Sequence, residues 1–149
     1  MIEGVLCMNI KNIVTKLIKK YGTNDPFQIA KQENIHIIYI DLGGKLGNYV
    51  KYKREKFILI DKRKTTDNLL KFVCAHELGH ALLHPKANTP FLRDNTLFSI
   101  NKLEIEANKF AVDLLITDEA IAEVKLLTLD QMANYFGINK NLIKLRLKI

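Results

Sequence analysis

His76-Glu77-Leu78-Gly79-His80 is the stretch of this 149-residue chain that decides its fold. On a helix, side chains four residues apart differ by only about 40° around the axis and by roughly 6 Å along it, so one ion can bridge both histidines. Neutral imidazole is a favoured zinc ligand, and the carboxylate beside the first histidine is placed to take a proton from water. The run therefore predicts a catalytic metal centre for hydrolysis, with His76 and His80 as ligands and Glu77 as general base.

The residues around this run predict a buried helix that begins near Thr66 and ends before Pro85. They are apolar nearly all round the axis: Leu69, Leu70, Phe72, Val73, Cys74 and Ala75 come before the run, and Ala81, Leu82 and Leu83 follow it. A helix that is apolar on every side lies in a core, where two histidines and a glutamate are costly unless they have partners. A metal ion would be such a partner, and the alternative is a chance occurrence of the pattern.

A third protein ligand is expected, because catalytic zinc sites have three. Glu104 falls inside the apolar stripe of a later helix, which is formed by Leu103, Ala107, Phe110, Ala111, Leu114 and Leu115. Glu106 lies about 160° away from Glu104 around the axis and is predicted to face solvent. We interpret Glu104 as the third ligand of one zinc ion per chain. The alternative is a buried salt bridge or a helix-end carboxylate.

Two further polar residues are candidates for supporting roles. Asn108 stacks one turn after Glu104 and is placed to support a ligand. His84 continues the four-residue spacing, but on a straight helix it is about 80° and 12 Å from His76, too far to share an ion. We therefore predict that His84 is a cleft or helix-end residue.

The remaining elements predict an α+β fold, a small zincin-like domain in which a short antiparallel or mixed sheet packs on the central helix. Helical spacing runs from Ile10 to Tyr21, and Asp25-Pro26 restarts a helix that continues to about Gln32. A strand at residues 36–41 precedes a hairpin of residues 47–53 and 56–61, and the first hairpin strand is predicted to be the sheet edge. Residues 86–101 are predicted to form a loop over the cleft, and helices are predicted from there to the C-terminus.

Composition places the chain among single-domain proteins. With 48% apolar residues, residues 1–149 are expected to form one domain. The two cysteines have no CxxC spacing, so neither a disulfide framework nor a cysteine-zinc site is expected. No basic N-terminal region leads into a long apolar run and no stretch is long enough to span a membrane, so we expect no membrane partner and a cytoplasmic location.

The net charge of +7 leaves two hypotheses open. It would attract nucleic acid, but the lysines are spread over several elements, which favours a solvated surface. Residues 128–149 match the apolar and small positions of a helix-turn-helix at Met132, Ala133, Phe136, Gly137, Ile138 and Ile143, with Lys140, Lys144, Arg146 and Lys148 on the second helix. Leu142, Leu145 and Leu147 would then face the groove, so a helical cap on the core is favoured.

In these residues and their spacing, the chain resembles the ImmA/IrrE family of small bacterial metallopeptidases. The matching pieces are Asp25-Pro26 with Ile29-Ala30, the run from Cys74 to His84, and the run from Glu104 to Ala111 that precedes Leu114-Leu115. The resemblance implies that His76, His80 and Glu104 bind zinc and that Glu77 is the base. The chain departs from the family at Ile116-Thr117, where Met-Pro is usual, which bears on the turn after this helix and not on the site.

The resemblance also implies a substrate, a regulatory protein that is typically a helix-turn-helix repressor, whose site-specific cleavage derepresses a mobile element or stress response. Two alternatives remain: a DNA-binding regulator, and a pseudoenzyme that binds zinc and acts by contact. The donor for the oxyanion is not identified by the residues, and His84, Tyr49, Tyr52 and Arg93 are candidates by position only.

Overall fold

The computed structural model describes residues 9–63, 65–86, 90–92 and 101–149, and these form an α+β fold. The helices are α1 (Ile10–Tyr21), α2 (Pro26–Gln32), α3 (Asp67–Leu83), α4 (Lys102–Leu115), α5 (Asp118–Glu123), α6 (Leu129–Phe136) and α7 (Lys140–Leu147). The strands are β1 (Ile35–Tyr39), β2 (Lys45–Tyr52), β3 (Glu55–Ile60) and β4 (Pro90–Leu92). The predicted fold class, a mixed sheet on a central helix that carries the histidine run, is confirmed.

The sheet has the order β1-β3-β2-β4. Strands β2 and β3 form the predicted hairpin, with Tyr49 opposite Ile58, whereas β1 runs parallel to β3. One side chain in two points to the core, so Tyr49, Ile58 and Ile60 are fully buried on the face that α3 covers. The other side of α3 packs against α4 and α2, which explains why nearly every residue from Phe72 to Ala81 is buried.

Several helix boundaries agree with the residues that predict them. The side chain of Asp25 accepts a hydrogen bond from the Phe27 amide at the start of α2, with Pro26 at the first helical position. Gly22 ends α1 with a φ of 67°, in the left-handed region that favours glycine. Thr66 caps α3. Ile116 and Thr117 stand where Met-Pro is usual. Thr117 caps the start of α5, because its side chain accepts a hydrogen bond from the Ala120 amide, so the turn between α4 and α5 forms without the proline.

Two strand predictions need correction. The first hairpin strand is not the free edge of the sheet, because β4 pairs antiparallel with its first half at Lys45, Gly47 and Asn48. The loop predicted for residues 86–101 contains β4 at Pro90–Leu92; residues 87–89 and 93–100 lie outside the described residues, and Arg93 is among them. The hydrophobic pattern could not reveal β4 because a three-residue strand is too short to show alternation.

The C-terminal helices form a second small cluster around Ile116, Val124, Met132 and Ile143. Helix α7 packs on α4, and its Arg146 is buried. Arg146 Nε donates to the Ile116 carbonyl at 2.7 Å, and Nη2 donates to Asp118 at 2.7 Å. This cation therefore ties the C-terminal helix to the turn after α4.

Among the described residues, no helix has the length and apolar character needed to cross a membrane.

Candidate active site

Three buried side chains from two helices converge on one point. His76 and His80 are fully buried on α3, and Glu104 at the start of α4 is 6% exposed. The Nε2 atoms of the histidines lie 3.2 Å apart, and the Glu104 oxygens lie 3.1 Å from Nε2 of His76 and 3.0 Å from Nε2 of His80. The structure thus brings together the three residues that the sequence suggests as ligands.

The donor set fits a metal ion. Ligands of tetrahedral zinc at about 2.0–2.1 Å from the ion stand about 3.3 Å from one another, close to the separations seen here. Both Glu104 oxygens are buried, yet neither makes a hydrogen bond of acceptable geometry with the imidazoles. Burial alone would raise the pKa of Glu104, but the two imidazoles outweigh it and lower that pKa to about 2. Two imidazole nitrogens and one buried carboxylate are donors that a divalent transition metal such as zinc accepts.

Asn108 holds the first histidine in place. Its Oδ1 lies 2.8 Å from Nδ1 of His76, so an Nδ1–H donated to this oxygen leaves the Nε2 lone pair directed at the centre of the site. Burial is the main cause that lowers the pKa of His76, which keeps the ring in the neutral form that a metal needs. Asn108 therefore occupies the supporting position suggested by its spacing from Glu104.

Glu77 lies beside the three ligands without being one of them. It is fully buried, and neither carboxylate oxygen has a hydrogen-bond partner among the described residues. Burial, and then the charge of Glu104, raise the pKa of Glu77 well above its ordinary value. A carboxylate held dry with raised basicity suits a group that accepts a proton.

Two glycines let the surrounding elements come close to the site. A Cβ on Gly47 of β2 would lie 2.6 Å from Cγ1 of Val73 and 3.3 Å from Cγ of Glu77, so only glycine allows this strand to approach α3 there. A Cβ on Gly79 would lie 3.1 Å from the ring of Phe110 on α4. The sequence carries both glycines, but their roles depend on tertiary contacts that no local pattern encodes.

The prediction for Glu106 is wrong. This residue is 9% exposed, and its Oε2 is buried with no hydrogen-bond partner in the described part of the chain; burial raises its pKa. The helical phase separates it correctly from Glu104, but α4 packs against α1, α3 and α7, so more than one of its faces is covered. The apolar stripe alone could not show this, because a helix that is enclosed on several sides buries residues outside its most apolar face.

The candidate oxyanion donors differ in burial and in whether they already make a hydrogen bond. His84 caps the end of α3, as expected, with its ring 5.9 Å from that of His80 and its Nε2 buried without a hydrogen-bond partner among the described residues. Tyr49 is buried, and its hydroxyl donates a hydrogen bond to the Pro85 carbonyl at 2.8 Å. This hydroxyl would have to break that bond before it could donate to an oxyanion. Tyr52 is 64% exposed at the end of β2. Of these three candidates, His84 has a ring close to that of a candidate ligand and a side-chain nitrogen that is not engaged by a described residue.

A buried histidine pair and a glutamate from the next helix form a group that could hold a metal ion, and a second buried carboxylate lies beside them. The sequence matches the IrrE N-terminal-like domain of peptidase family M78 over residues 30–148. The chain belongs to the ImmA/IrrE family of metallopeptidases.

Two relatives have similarity over most of their length. The chain is 34% identical over 143 residues to Metallopeptidase ImmA of Bacillus subtilis (strain 168), covering 87% of this chain and 78% of that protein. It is 44% identical over 140 residues to the protein named uncharacterized immunity region protein 2 of Bacillus phage phi105, covering 92% of this chain and 88% of the relative.

Proposed function

We propose that this chain is a zinc-dependent endopeptidase that cleaves one regulatory protein, a helix-turn-helix repressor, at a defined site. The observation that carries the proposal is the buried group of His76, His80 and Glu104 with the unpartnered carboxylate of Glu77 beside it. The ligand set, two imidazoles and one carboxylate, is that of catalytic zinc sites with an open fourth position.

Each residue has a distinct task in this mechanism. A zinc ion held by His76, His80 and Glu104 would supply Lewis acidity at the scissile carbonyl. Glu77 accepts the proton of the attacking water and then passes it to the leaving amine, for which its burial and raised pKa are suited. Asn108 fixes the orientation of the His76 ring. The surrounding core excludes bulk water, which strengthens these interactions.

The names of the relatives support the biological setting. One is a metallopeptidase, and the other is named for the immunity region of a phage. We infer that the chain acts on a mobile element's own regulator in the cytoplasm, where the cleavage would derepress that element.

The rival hypothesis, a DNA-reading C-terminal segment, has less support. Of the four cations on the second helix, Arg146 is buried in contacts with the Ile116 carbonyl and Asp118, and Lys140 pairs with Asp130 at 3.0 Å. Leu142 and Ile143 are buried as well. Few cations are left for phosphates, which favours a helical cap over a DNA-binding surface.

The deciding experiment is incubation of the purified protein with the repressor encoded beside its gene, with and without a chelator. We expect one defined cut that Glu77→Gln abolishes, because the amide is nearly isosteric but cannot accept a proton. Glu123→Gln, the same change on an exposed residue, should leave the cut unaffected.

A cut that persists undiminished in Glu77→Gln would refute the mechanism. Zinc binding together with repressor binding but no cleavage, in the presence of the repressor and metal, would favour a regulator that acts by contact. A gel shift that is sensitive to salt and to DNA sequence would favour the DNA-binding hypothesis.

A further inference from the structure

The edge of the sheet formed by β1 lies away from the metal site and is not paired with any described strand. It is two strands removed from β2, whose Gly47 approaches Glu77. Strand β1 contacts β3 on one side, and the Ile40 amide donates to the Ile60 carbonyl at 3.1 Å. Because backbone groups alternate between the two sides of a strand, Ile37 and Tyr39 direct their N–H and C=O groups to the outer side. These groups have no backbone partner among the described residues.

A groove follows this edge. It has a volume of about 360 Å³ and is lined by Phe27 and Lys31 of α2, by Asn34 of the turn, and by Ile35, His36 and Ile37 of β1. Consecutive strand residues point to opposite faces of a sheet, so a groove lined by three of them in a row must run along the strand's edge.

The far end of the edge is apolar and exposed. Ile38, Tyr39 and Ile40 are 38%, 45% and 44% exposed. Natural proteins usually protect an open strand edge with charges, prolines or bulges on the strand itself, and none of these three residues provides such protection. An apolar open edge of this kind marks a site of strand addition.

The charges around the edge favour an acidic partner. Lys31 lines the groove at one end, and Lys62 stands 4.5 Å from the centre of the Tyr39 ring at the other. Neither lysine has an ion pair with a described residue. Two of the nearby carboxylates have basic partners, since Glu55 pairs with His36 and Asp41 pairs with Arg63 at 2.6 Å, whereas Glu33 accepts from the Tyr21 hydroxyl and keeps its charge. With a net charge of +7, the chain also repels a second copy of itself.

We propose that β1 is a second recognition site, at which an extended acidic segment of a partner protein adds as a strand between Lys31 and Lys62. Backbone groups of Ile37 and Tyr39 would pair with the segment, and the two lysines would select its charge. The proposal does not depend on the metal or on catalysis, so it can fail while the proposed function stands.

The test uses two fluorescent octapeptides, one of alternating valine and glutamate and one of alternating valine and lysine. Their binding to the full chain is measured by anisotropy at low salt, with the metal bound and after chelation. We expect the acidic peptide to bind at least about tenfold more tightly than the basic one, because each lysine contributes through charge complementarity. The affinity should be the same in both metal states.

Two variants test the location. Tyr39→Pro removes one outward N–H without touching the bonds to β3, and it should weaken acidic-peptide binding about three- to tenfold, whereas Tyr39→Phe should not. Lys31→Glu is a surface change that leaves the strand intact, and it should weaken binding as well. Amide shifts in an NMR titration should concentrate at Ile35–Tyr39.

Three results would overturn the proposal. The first is that neither peptide binds at millimolar concentration. The second is acidic-peptide binding that Tyr39→Pro and Lys31→Glu both leave unchanged, with shifts on α1 or α7, which would indicate general attraction to a basic surface. The third is a dimer in sedimentation that Tyr39→Pro dissociates, which would make a second copy the occupant.

Discussion

The ring of Phe110 occupies the space that a side chain at Gly79 would need. A Cβ on Gly79 would lie 3.1 Å from Cδ1 of that ring and 3.2 Å from Cβ of the same residue. The contact lies where α3 packs against α4, the two helices that carry the candidate ligands. We therefore expect the geometry of the site to depend on a residue of the motif that has no chemical role.

Gly79→Ala should lower both zinc affinity and stability. Overpacking costs about 1–3 kcal/mol, and the better helix propensity of alanine returns about 1 kcal/mol, so we expect a net loss of about 1 kcal/mol. Urea unfolding and competition with a chromophoric chelator measure the two effects. Gly44→Ala is the matched control, since a Cβ there meets nothing within 4 Å. Unchanged zinc affinity in Gly79→Ala would show that α4 is not positioned by this contact.

Glu104→Gln and Glu106→Gln form a matched pair on the same helix. The first should abolish binding of zinc, because it removes a charged ligand. The second should leave zinc bound and should not reduce stability at pH 7, because burial already disfavours the ionised form of Glu106. Metal content by atomic absorption and urea unfolding provide the readouts. Loss of zinc from Glu106→Gln alone would contradict the assignment of the third ligand.

Asn108→Ala should weaken zinc binding about 10- to 100-fold, the usual cost of removing a group that orients a ligand. The His76 ring would lose the acceptor that lies 2.8 Å from its Nδ1. The measurement is a chelator competition, and circular dichroism checks that the fold is retained. An affinity within twofold of the parent protein would mean that the core alone orients this ring.

Asp61 should make the metal-free protein less stable in acid. Hydrogen bonds from Arg63 are the main cause that lowers the pKa of Asp61 below its unfolded value of about 3.9. The ionised Asp61 stabilises the fold fully at pH values above its pKa in the unfolded chain. This stabilisation is lost as the pH falls through its lower pKa in the folded protein. Urea unfolding of chelated protein at pH 7 and pH 3 should therefore differ less for Asp61→Asn than for the parent. Equal differences would exclude Asp61 as a contributor.

The cations of α7 and Lys148, the residue that follows its end, should separate into two groups. Arg146→Ser should cost about 2–4 kcal/mol, because it leaves the Ile116 carbonyl without its donor and removes the cation that lies 3.7 Å from the buried carboxylate of Asp113. Lys144→Ser and Lys148→Ser should leave both stability and repressor cleavage nearly unchanged. Thermal unfolding and the cleavage assay measure these outcomes. A loss of cleavage in the double lysine variant would assign those residues to substrate recognition.

Local signals predict much of this molecule because they act over a few residues. The spacing of His76 and His80, the cap at Asp25-Pro26 and the hairpin alternation all express short-range geometry, and each agrees with the structure. The position of Glu104 among the apolar residues of its helix predicts that it faces the core, and the structure places its carboxylate beside both histidines.

Long-range packing accounts for what could not be predicted. Glu106 is buried because three helices surround α4, and the edge of β2 is covered because a short strand returns from a distant part of the chain. Arg146 looks like a DNA-binding cation by its position in a basic helix, yet it lies in the protein interior. No periodicity within a single element carries that information.

The three candidate ligands come from two helices, α3 and α4, that are separated in the chain by residues 84–101. A zinc ion would join the two helices like a removable cross-link and stabilise the fold in proportion to the logarithm of free metal. In a metal-starved cell the interior would open more often, and the unfolded fraction would be exposed to housekeeping proteolysis. The amount of the protein, and not only its catalytic rate, would then follow the zinc concentration of the cell.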